Sequence, residues 1–474
     1  MCTLGPAQAS VNDVVVLARA GMDCARINFS HGDLGEHART IRFVRSAESR
    51  LHSHLPVMQD LPGPKIRVGI LRDGSVLLKR GERVILDTAN DTQVASNEIP
   101  IKYRGLENYV LPGTKIYLSD GSIKLDVISA ERGKIHCRCV VGGKLQSEKG
   151  VNIPTLSADF KTFTEADDRF LAFGIENRVD LVAVSFVRSA QDIVDVRKRA
   201  RELGGDPMIV AKIEKKDAVD NISEISSVSD IVMVARGDLG AENPVEQVPV
   251  MQKKIIALCR ARGIPVITAT QMLESMVNNP TPTRAEVTDI ANAILDGTDA
   301  LMLSEETAVG SYPAECVGVL HRVSLLTEAN MKRDTIPDDQ GATDNLVDAL
   351  GRGSDLLAKD MGAKLLVSLN DSTSVVSKIA RFRPKAPIVC ITSTVEQARK
   401  LRMVWGVFPK ILRLADPMHR LGSAVATLSK EWSLKKGERM IIISSDVSLS
   451  NHEGELIFIV QAGQRSDKDY AKPG

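Results

Sequence analysis

Met208-Ile-Val-Ala-Lys-Ile-Glu214 is an apolar run with no alternation, broken near its end by one lysine and closed by one glutamate. An alternating strand keeps one face in water. A strand apolar at nearly every position is buried on both faces, as in a parallel sheet covered by helices. The same texture returns on either side in Ala25–Phe29, Pro56–Met58, Asp180–Phe186, Asp230–Val234, Pro265–Ala269 and Asp299–Leu303. Between these runs lie stretches such as Gln191–Leu203 and Val248–Arg262, whose helix formers carry apolar positions three and four apart. The stub Cys2–Gly5 and these seven runs make eight strand–helix units. Eight is the count of a TIM (β/α)8 barrel, expected over residues 1–62 and 149–335.

Over 63–148 the texture changes. Short alternating segments (Ser75–Lys79, Arg83–Leu86, Lys115–Leu118, Lys124–Ile128, Lys134–Val141) are separated by Asp73-Gly74, Arg80-Gly81, Pro112-Gly113, Asp120-Gly121, Arg132-Gly133 and Gly142-Gly143. This is the turn chemistry of a small β-barrel, inserted into a loop of the larger barrel as a lid. From 336 to 474 strand and helix alternate again, giving a C-terminal open α/β domain. Its strands are Lys364–Leu369, Pro387–Ile391, Arg439–Ser444 and Leu456–Val460, its helices Thr373–Arg381 and His419–Lys430, and Lys332–Asn345 is read as the linker into it.

With 474 residues, two to four domains are expected. Lys plus Arg (61) balance Asp plus Glu (60), so no global field favours a nucleic acid or a membrane surface. Aromatic residues are 4% of the chain, too few for a surface that stacks bases. No apolar run reaches the roughly 18–20 residues that span a bilayer, and Met1–Pro6 has no signal-peptide pattern. The seven cysteines are scattered and odd in number, which points to neither a disulfide framework nor a zinc site and fits the cytoplasm.

Polar residues at the C-terminal ends of barrel strands are the informative ones. Arg26 and Asn28 sit inside a buried run that ends in Ser30-His31-Gly32; Asp60 follows Pro56–Met58; Lys212 and Glu214 lie on one side of a strand. Arg236-Gly237-Asp238, Thr270-Gln271 and Ser304-Glu305-Glu306 follow the next three runs. Any one strand end is polar because it meets solvent. So many buried charges on one face call for a ligand. Glu214 and Asp238 suit Mg²⁺ or Mn²⁺, Arg26 and Lys212 suit a phosphate, and the set describes phosphoryl or enolate chemistry.

Nine stretches, in order, make the chain resemble the pyruvate kinase family. They include Cys2-Thr-Leu-Gly-Pro6, Ala25-Arg-Ile-Asn-Phe-Ser-His-Gly32, Asp60-Leu-Pro-Gly-Pro-Lys-Ile-Arg67, Lys149-Gly-Val-Asn152, Ala211-Lys-Ile-Glu214, Val232-Met-Val-Ala-Arg-Gly-Asp-Leu-Gly240 and Ile267-Thr-Ala-Thr-Gln-Met-Leu273. The last two are Pro282-Thr-Arg-Ala-Glu-Val-Thr-Asp289 and Met302-Leu-Ser-Glu-Glu-Thr-Ala308. The resemblance implies phosphoryl transfer from phosphoenolpyruvate to ADP, giving pyruvate and ATP. It implies that Glu214 and Asp238 hold Mg²⁺ (or Mn²⁺), that Lys212 neutralises the transferring group and that Arg26 clamps the phosphate. The amides around Gly237 and Asp238, with the Thr270 hydroxyl, would seat the carboxylate, and Thr270 through water is the candidate proton donor. Asn28, Phe29, Ser30, His31, Arg67 and Lys149 match the nucleotide positions, with His31 equally readable as a loop cap. Ser304 and Glu306 are read as support for the site, and Arg284 and Glu286 as orienting a helix and an interface.

Several positions depart from the family pattern. The K⁺ ligands Asn28, Ser30, Asp60 and the backbone of Leu61 remain, but Leu61-Pro62 and Lys65 replace the usual Thr-Lys and Glu. An ammonium at Lys65 would supply the monovalent charge, so activity without K⁺ is expected. Val309 stands where many members have a lysine near the nucleotide, and Glu305 where most have glycine. The first strand is reduced to Met1–Gly5, and unpaired ladder groups are expected there unless another segment covers that edge. In the C-terminal region, Ser372, Thr373 and Ser374 form either a cradle for a phosphorylated effector or an ordinary helix cap made by Asp371 or Ser372. The family is usually a homotetramer.

Overall fold

The computed structural model describes residues 1–64, 66–95, 98–119, 121–153, 162–331, 346–412, 417–449 and 452–463. Lys65 and the expected linker at 332–345 lie outside the described residues. Eight parallel strands run in the order Cys2–Leu4, Ala25–Asn28, Val57–Asp60, Leu181–Val184, Met208–Ile213, Ile231–Ala235, Val266–Ala269 and Ala300–Met302. A bridge between Cys2 and Leu303 joins the eighth to the first. The shortened first strand is paired on both sides, with Ala25–Ile27 and with Leu303. Cys2 N donates to Cys24 O (2.9 Å), Thr3 N to Leu303 O (3.0 Å), and Leu303 N to Met1 O (3.0 Å).

The strand side chains divide by parity. One set (Met58, Leu181, Ala183, Met208, Val210, Ile231, Met233, Ile267, Ala269) fills the barrel interior, plugged from below by Met403. The other set (Val57, Val182, Ile209, Ala211, Val232, Val266) packs outward on the helices. Those helices start at local signals: Ser10, Asp33, Thr164 and Thr283 each close a capping box with the residue three positions on.

Between the third and fourth strands the chain builds a six-stranded β sheet around its own core of Val84, Leu86, Ile116, Leu118, Leu125 and Ile135. Its entry is tight. Gly63 has φ +62°, and a Cβ there would lie 2.8 Å from the Phe186 ring, so only glycine fits between Pro62 and Pro64. The C-terminal region forms a five-stranded sheet in which Leu365–Ser368, Ile388–Thr392, Val407–Ile411 and Arg439–Leu449 are parallel and His452–Gln461 is antiparallel. The strand Val407–Ile411 has no counterpart in the sequence reading, because Pro409 and Lys410 interrupt its apolar pattern. Among the described residues no helix is long and apolar enough to cross a membrane.

Candidate active site

The parity that fills the barrel also fixes the site. Positions 208 and 210 point inward, so Lys212 continues the interior row, and Glu214 follows at the strand's end. The same counting sends Asp60 inward after Met58, Ser185 after Leu181 and Ala183, and Arg26 after Cys24. Charged residues thus replace apolar ones in the last interior layer at the C-terminal end of the barrel.

Asp60, only 1% exposed, is the hub. Its Oδ2 accepts from Arg26 Nε (2.8 Å) and lies 2.7 Å from Arg26 Nη2, while its Oδ1 lies 3.1 Å from Lys212 Nζ. Burial would push this carboxyl up, but Lys212 and Arg26 outweigh burial and hold it below the usual carboxylate range. Lys212 Nζ also meets Glu214 Oε1 at 2.8 Å and donates to Ser185 Oγ at 2.6 Å. Burial alone would discharge it, yet Asp60, Glu214 and Asp238 raise it above the usual ammonium range, so it stays a cation. Arg26 Nη1 donates to Thr3 Oγ1 (2.8 Å), and Ser185 Oγ donates to Leu61 O (2.7 Å).

Glu214 Oε2 accepts from Phe186 N at 2.7 Å. Burial pushes its carboxyl above the usual range; Lys212 opposes this and Asp238 adds to it. A carboxylate whose charge is disfavoured by burial and by a second carboxylate suits a hard divalent cation, which relieves it. Among the described residues no group of three or more His, Cys, Asp or Glu could hold a metal. As oxygen ligands, the two carboxylates fit an ion that takes further oxygens from substrate and water, as Mg²⁺ and Mn²⁺ do. Asp238 stands in the first turn of the helix Arg236–Glu242. Glu214 and Asp238 line a cleft of about 260 Å³ that also touches Arg67, Gly150, Asn152 and Thr162.

Gly237 N donates to Thr270 Oγ1 (2.8 Å), which in turn donates to Ala269 O (2.6 Å). Thr270 and Gln271 both have positive φ, +69° and +54°. Ser304 N and Leu273 N donate to the two oxygens of buried Glu306 at 2.6 and 3.1 Å. Glu286 accepts from Ser275 N and Oγ and closes the cap of the helix Arg284–Asp296.

The nucleotide candidates sit on the rim. Asn28 is the register partner of Asp60, and its Oδ1 accepts from Ser30 N at 3.1 Å. The Phe29 ring is buried and stacks on His37 at 4.1 Å, and its amide donates to Asp60 O (3.0 Å), whereas His31 is exposed. Arg67 bridges to Gly150 and donates to Glu148 O (3.0 Å); exposed Lys149 accepts at its carbonyl from Val68 N (2.9 Å). The two cations therefore flank one strand pair at the base of the small sheet. Val309 is exposed at 57%, and Glu305 opens the short helix Glu305–Ala308. Of Ser372–Ser374, Thr373 and Ser374 open the helix Thr373–Ala380, and Ser372 is its N-cap, without a side-chain capping bond. Instead, Ser372 N donates to Asn370 Oδ1 (2.8 Å) and Asp371 Oδ2 accepts from Thr392 Oγ1 (2.7 Å).

The sequence reading did not find Thr3, Ser185 or the Arg236–Asp289 pair (2.6 Å) as parts of this site. A hydroxyl ending an interior row was the available signal for Thr3 and Ser185.

The pyruvate kinase barrel-domain profile matches residues 1–317, and the pyruvate kinase alpha/beta-domain profile matches 348–455. Pyruvate kinase 2 of Synechocystis is 40% identical over 448 residues, covering 93% of this chain and 75% of that protein. The pyruvate kinase of Geobacillus stearothermophilus is 40% identical over 450 residues, covering 93% and 76%. Among solved structures, a pyruvate kinase from Cryptosporidium parvum superposes with a TM-score of 0.87 at 32% identity, covering 97% of this chain and 95% of that one.

Proposed function

The chain belongs to the pyruvate kinase family, and on that premise we propose that it is the phosphotransferase that moves the phosphoryl group of phosphoenolpyruvate to ADP, yielding pyruvate and ATP. The observation that carries this is the interior layer of Arg26, Asp60, Lys212 and Glu214, whose Glu214 shares a cleft with Asp238. Phosphoryl transfer needs positioning and charge neutralisation more than covalent help. Arg26 clamps the substrate phosphate, its guanidinium preset by Asp60 and Thr3. Lys212 stays charged because three carboxylates surround it, and it offsets the negative charge that grows on the transferring group.

Glu214 and Asp238 would hold Mg²⁺ or Mn²⁺, which supplies electrostatic neutralisation of the substrate's oxygens when bound. Gly237 N, Asp238 N and Thr270 Oγ1 receive the carboxylate, and Thr270, through water, delivers the proton to the enolate. Asn28 to His31, Arg67 and Lys149 bind the nucleotide. The small sheet, residues 63–148, closes over the barrel of 1–62 and 149–335 and expels water. The C-terminal region, 336–474, takes a phosphorylated effector at Ser372–Ser374, and the enzyme assembles as a cytoplasmic homotetramer. Lys65 makes K⁺ dispensable, in place of a cation at Asn28, Ser30, Asp60 and Leu61.

The test is pyruvate formation from phosphoenolpyruvate and ADP with Mg²⁺ in K⁺-free buffer, followed by K⁺ addition. Full activity before K⁺ supports both readings. Activity only after K⁺ retains the enzyme and removes the role of Lys65, and no activity from folded protein removes the function.

A further inference from the structure

Thr270 and Gln271 are consecutive non-glycine residues in the left-handed region, with φ +69° and +54°. A β-branched residue there is a true outlier, which persists only where its surroundings hold it. The surroundings here are specific. Arg236, from the end of the sixth strand, donates through Nε and Nη2 to Thr270 O (3.2 and 2.7 Å) and through Nη2 to Gln271 O (3.0 Å). Its other arm, Nη1, is fixed at 2.6 Å to Asp289 Oδ2 on the helix Arg284–Asp296. Both carbonyls of the strained turn are gathered by one guanidinium, and one carboxylate aims that guanidinium. The turn in its strained form places Thr270 Oγ1 2.8 Å from Gly237 N, at the mouth of the site.

We propose that Arg236 and Asp289 are positioning residues that hold the Thr270–Gln271 turn in its strained conformation, and so set where the Thr270 hydroxyl stands for the proton step. The inference rests on the pyruvate kinase reading of the site. Asp289 acts through Arg236, and Arg236 through the backbone, so neither touches the reacting atoms. Arg236 is needed for its planar fork, which a lysine lacks.

The experiment is a double-mutant cycle on the full chain, reading kcat, the KM values for both substrates and C3 proton exchange of pyruvate by NMR. Asp289→Asn alone is expected to lower kcat and proton exchange about 10- to 100-fold, the range for a misplaced group of this kind. The KM for ADP stays unchanged, and Asp289→Glu recovers part of the loss. In a Thr270→Ala background, the same substitution is expected to change kcat less than about 2-fold, because its target is gone. Arg236→Lys, which keeps the charge, provides the second route if Asp289→Asn folds poorly. Equal losses in both backgrounds, or a folded Asp289→Asn with wild-type exchange, overturn the proposal. An inactive wild type would instead remove the functional reading beneath it.

Discussion

Asp60→Asn removes one negative charge from the centre of the site and leaves the shape almost intact. In the wild type, both cations of the interior layer lean on this one carboxylate, at 2.7 and 3.1 Å. Removing one partner of a buried pair costs about 3–5 kcal/mol, because the other charge is left uncompensated. Asparagine keeps one acceptor oxygen, and Lys212 retains Glu214, so the lower end, about 3 kcal/mol, applies. For a unit the size of this barrel, that lowers Tm by roughly 6–12 °C. The loss has a pH signature. Burial raises Asp60, but Lys212 and Arg26 prevail and its folded pKa lies below the unfolded value. Its stabilisation is therefore complete above about pH 4 and is lost as pH falls through the folded value. The Tm gap between wild type and variant should be full at neutrality and close in acid. Arg26, left without a carboxylate partner, should also recruit inorganic phosphate, so phosphate should raise the variant's Tm more than the wild type's. A variant as stable as wild type at neutral pH, with the same response to phosphate, would refute the hub.

The opposite pH dependence is expected at Glu214. Burial raises its pKa above the unfolded value, so stability is lost as pH climbs through that interval; Glu214→Gln should remove that dependence and abolish the Tm response to Mg²⁺. Thermal scans with and without Mg²⁺ check both halves. Arg399 ties the C-terminal region to the barrel, donating to Glu48 Oε1 and Oε2 at 2.9 and 2.6 Å and lying 3.7 Å from Asp180. Burial would raise Glu48, but His54 and Arg399 hold it at about 2, so this clamp weakens as pH falls from about 4.5 toward that value. Arg399→Ala should cost about 3 kcal/mol and split calorimetric unfolding into two transitions at neutral pH; a single unshifted transition would exclude a clamp.

The barrel was legible because its strands are buried on both faces, and repeated unbroken apolar runs of this length, spaced by helical stretches, fit a covered parallel sheet. The inward row was legible in part. Lys212 and Glu214 share a strand and a parity, so their common side follows from counting. Asp60 meeting both Arg26 and Lys212 does not follow, because it depends on register across four strands. Sequence patterns carry no register between distant segments. Ser185 was legible only as a hydroxyl near the end of the apolar run Asp180–Phe186, and its contact with Lys212 depends on the same register. The Thr270 turn was illegible for a different reason: strain at a threonine is imposed by Arg236 from another strand, and propensity argues against it. Strand boundaries shifted by a residue or two, as at Val57–Asp60 against the expected Pro56–Met58. That shift matters here, since it brings Asp60 into the strand and fixes its direction.

Transfer of a phosphoryl group to ADP by the interior layer at the end of the barrel is tested most directly by phosphorus NMR of the protein with phosphoenolpyruvate, ADP and Mg²⁺. The phosphoenolpyruvate signal is expected to disappear as the γ-phosphate of ATP grows in equal amount, and Lys212→Met is expected to stop both. Phosphorus appearing only as inorganic phosphate, or an unchanged spectrum from folded protein, would contradict that role.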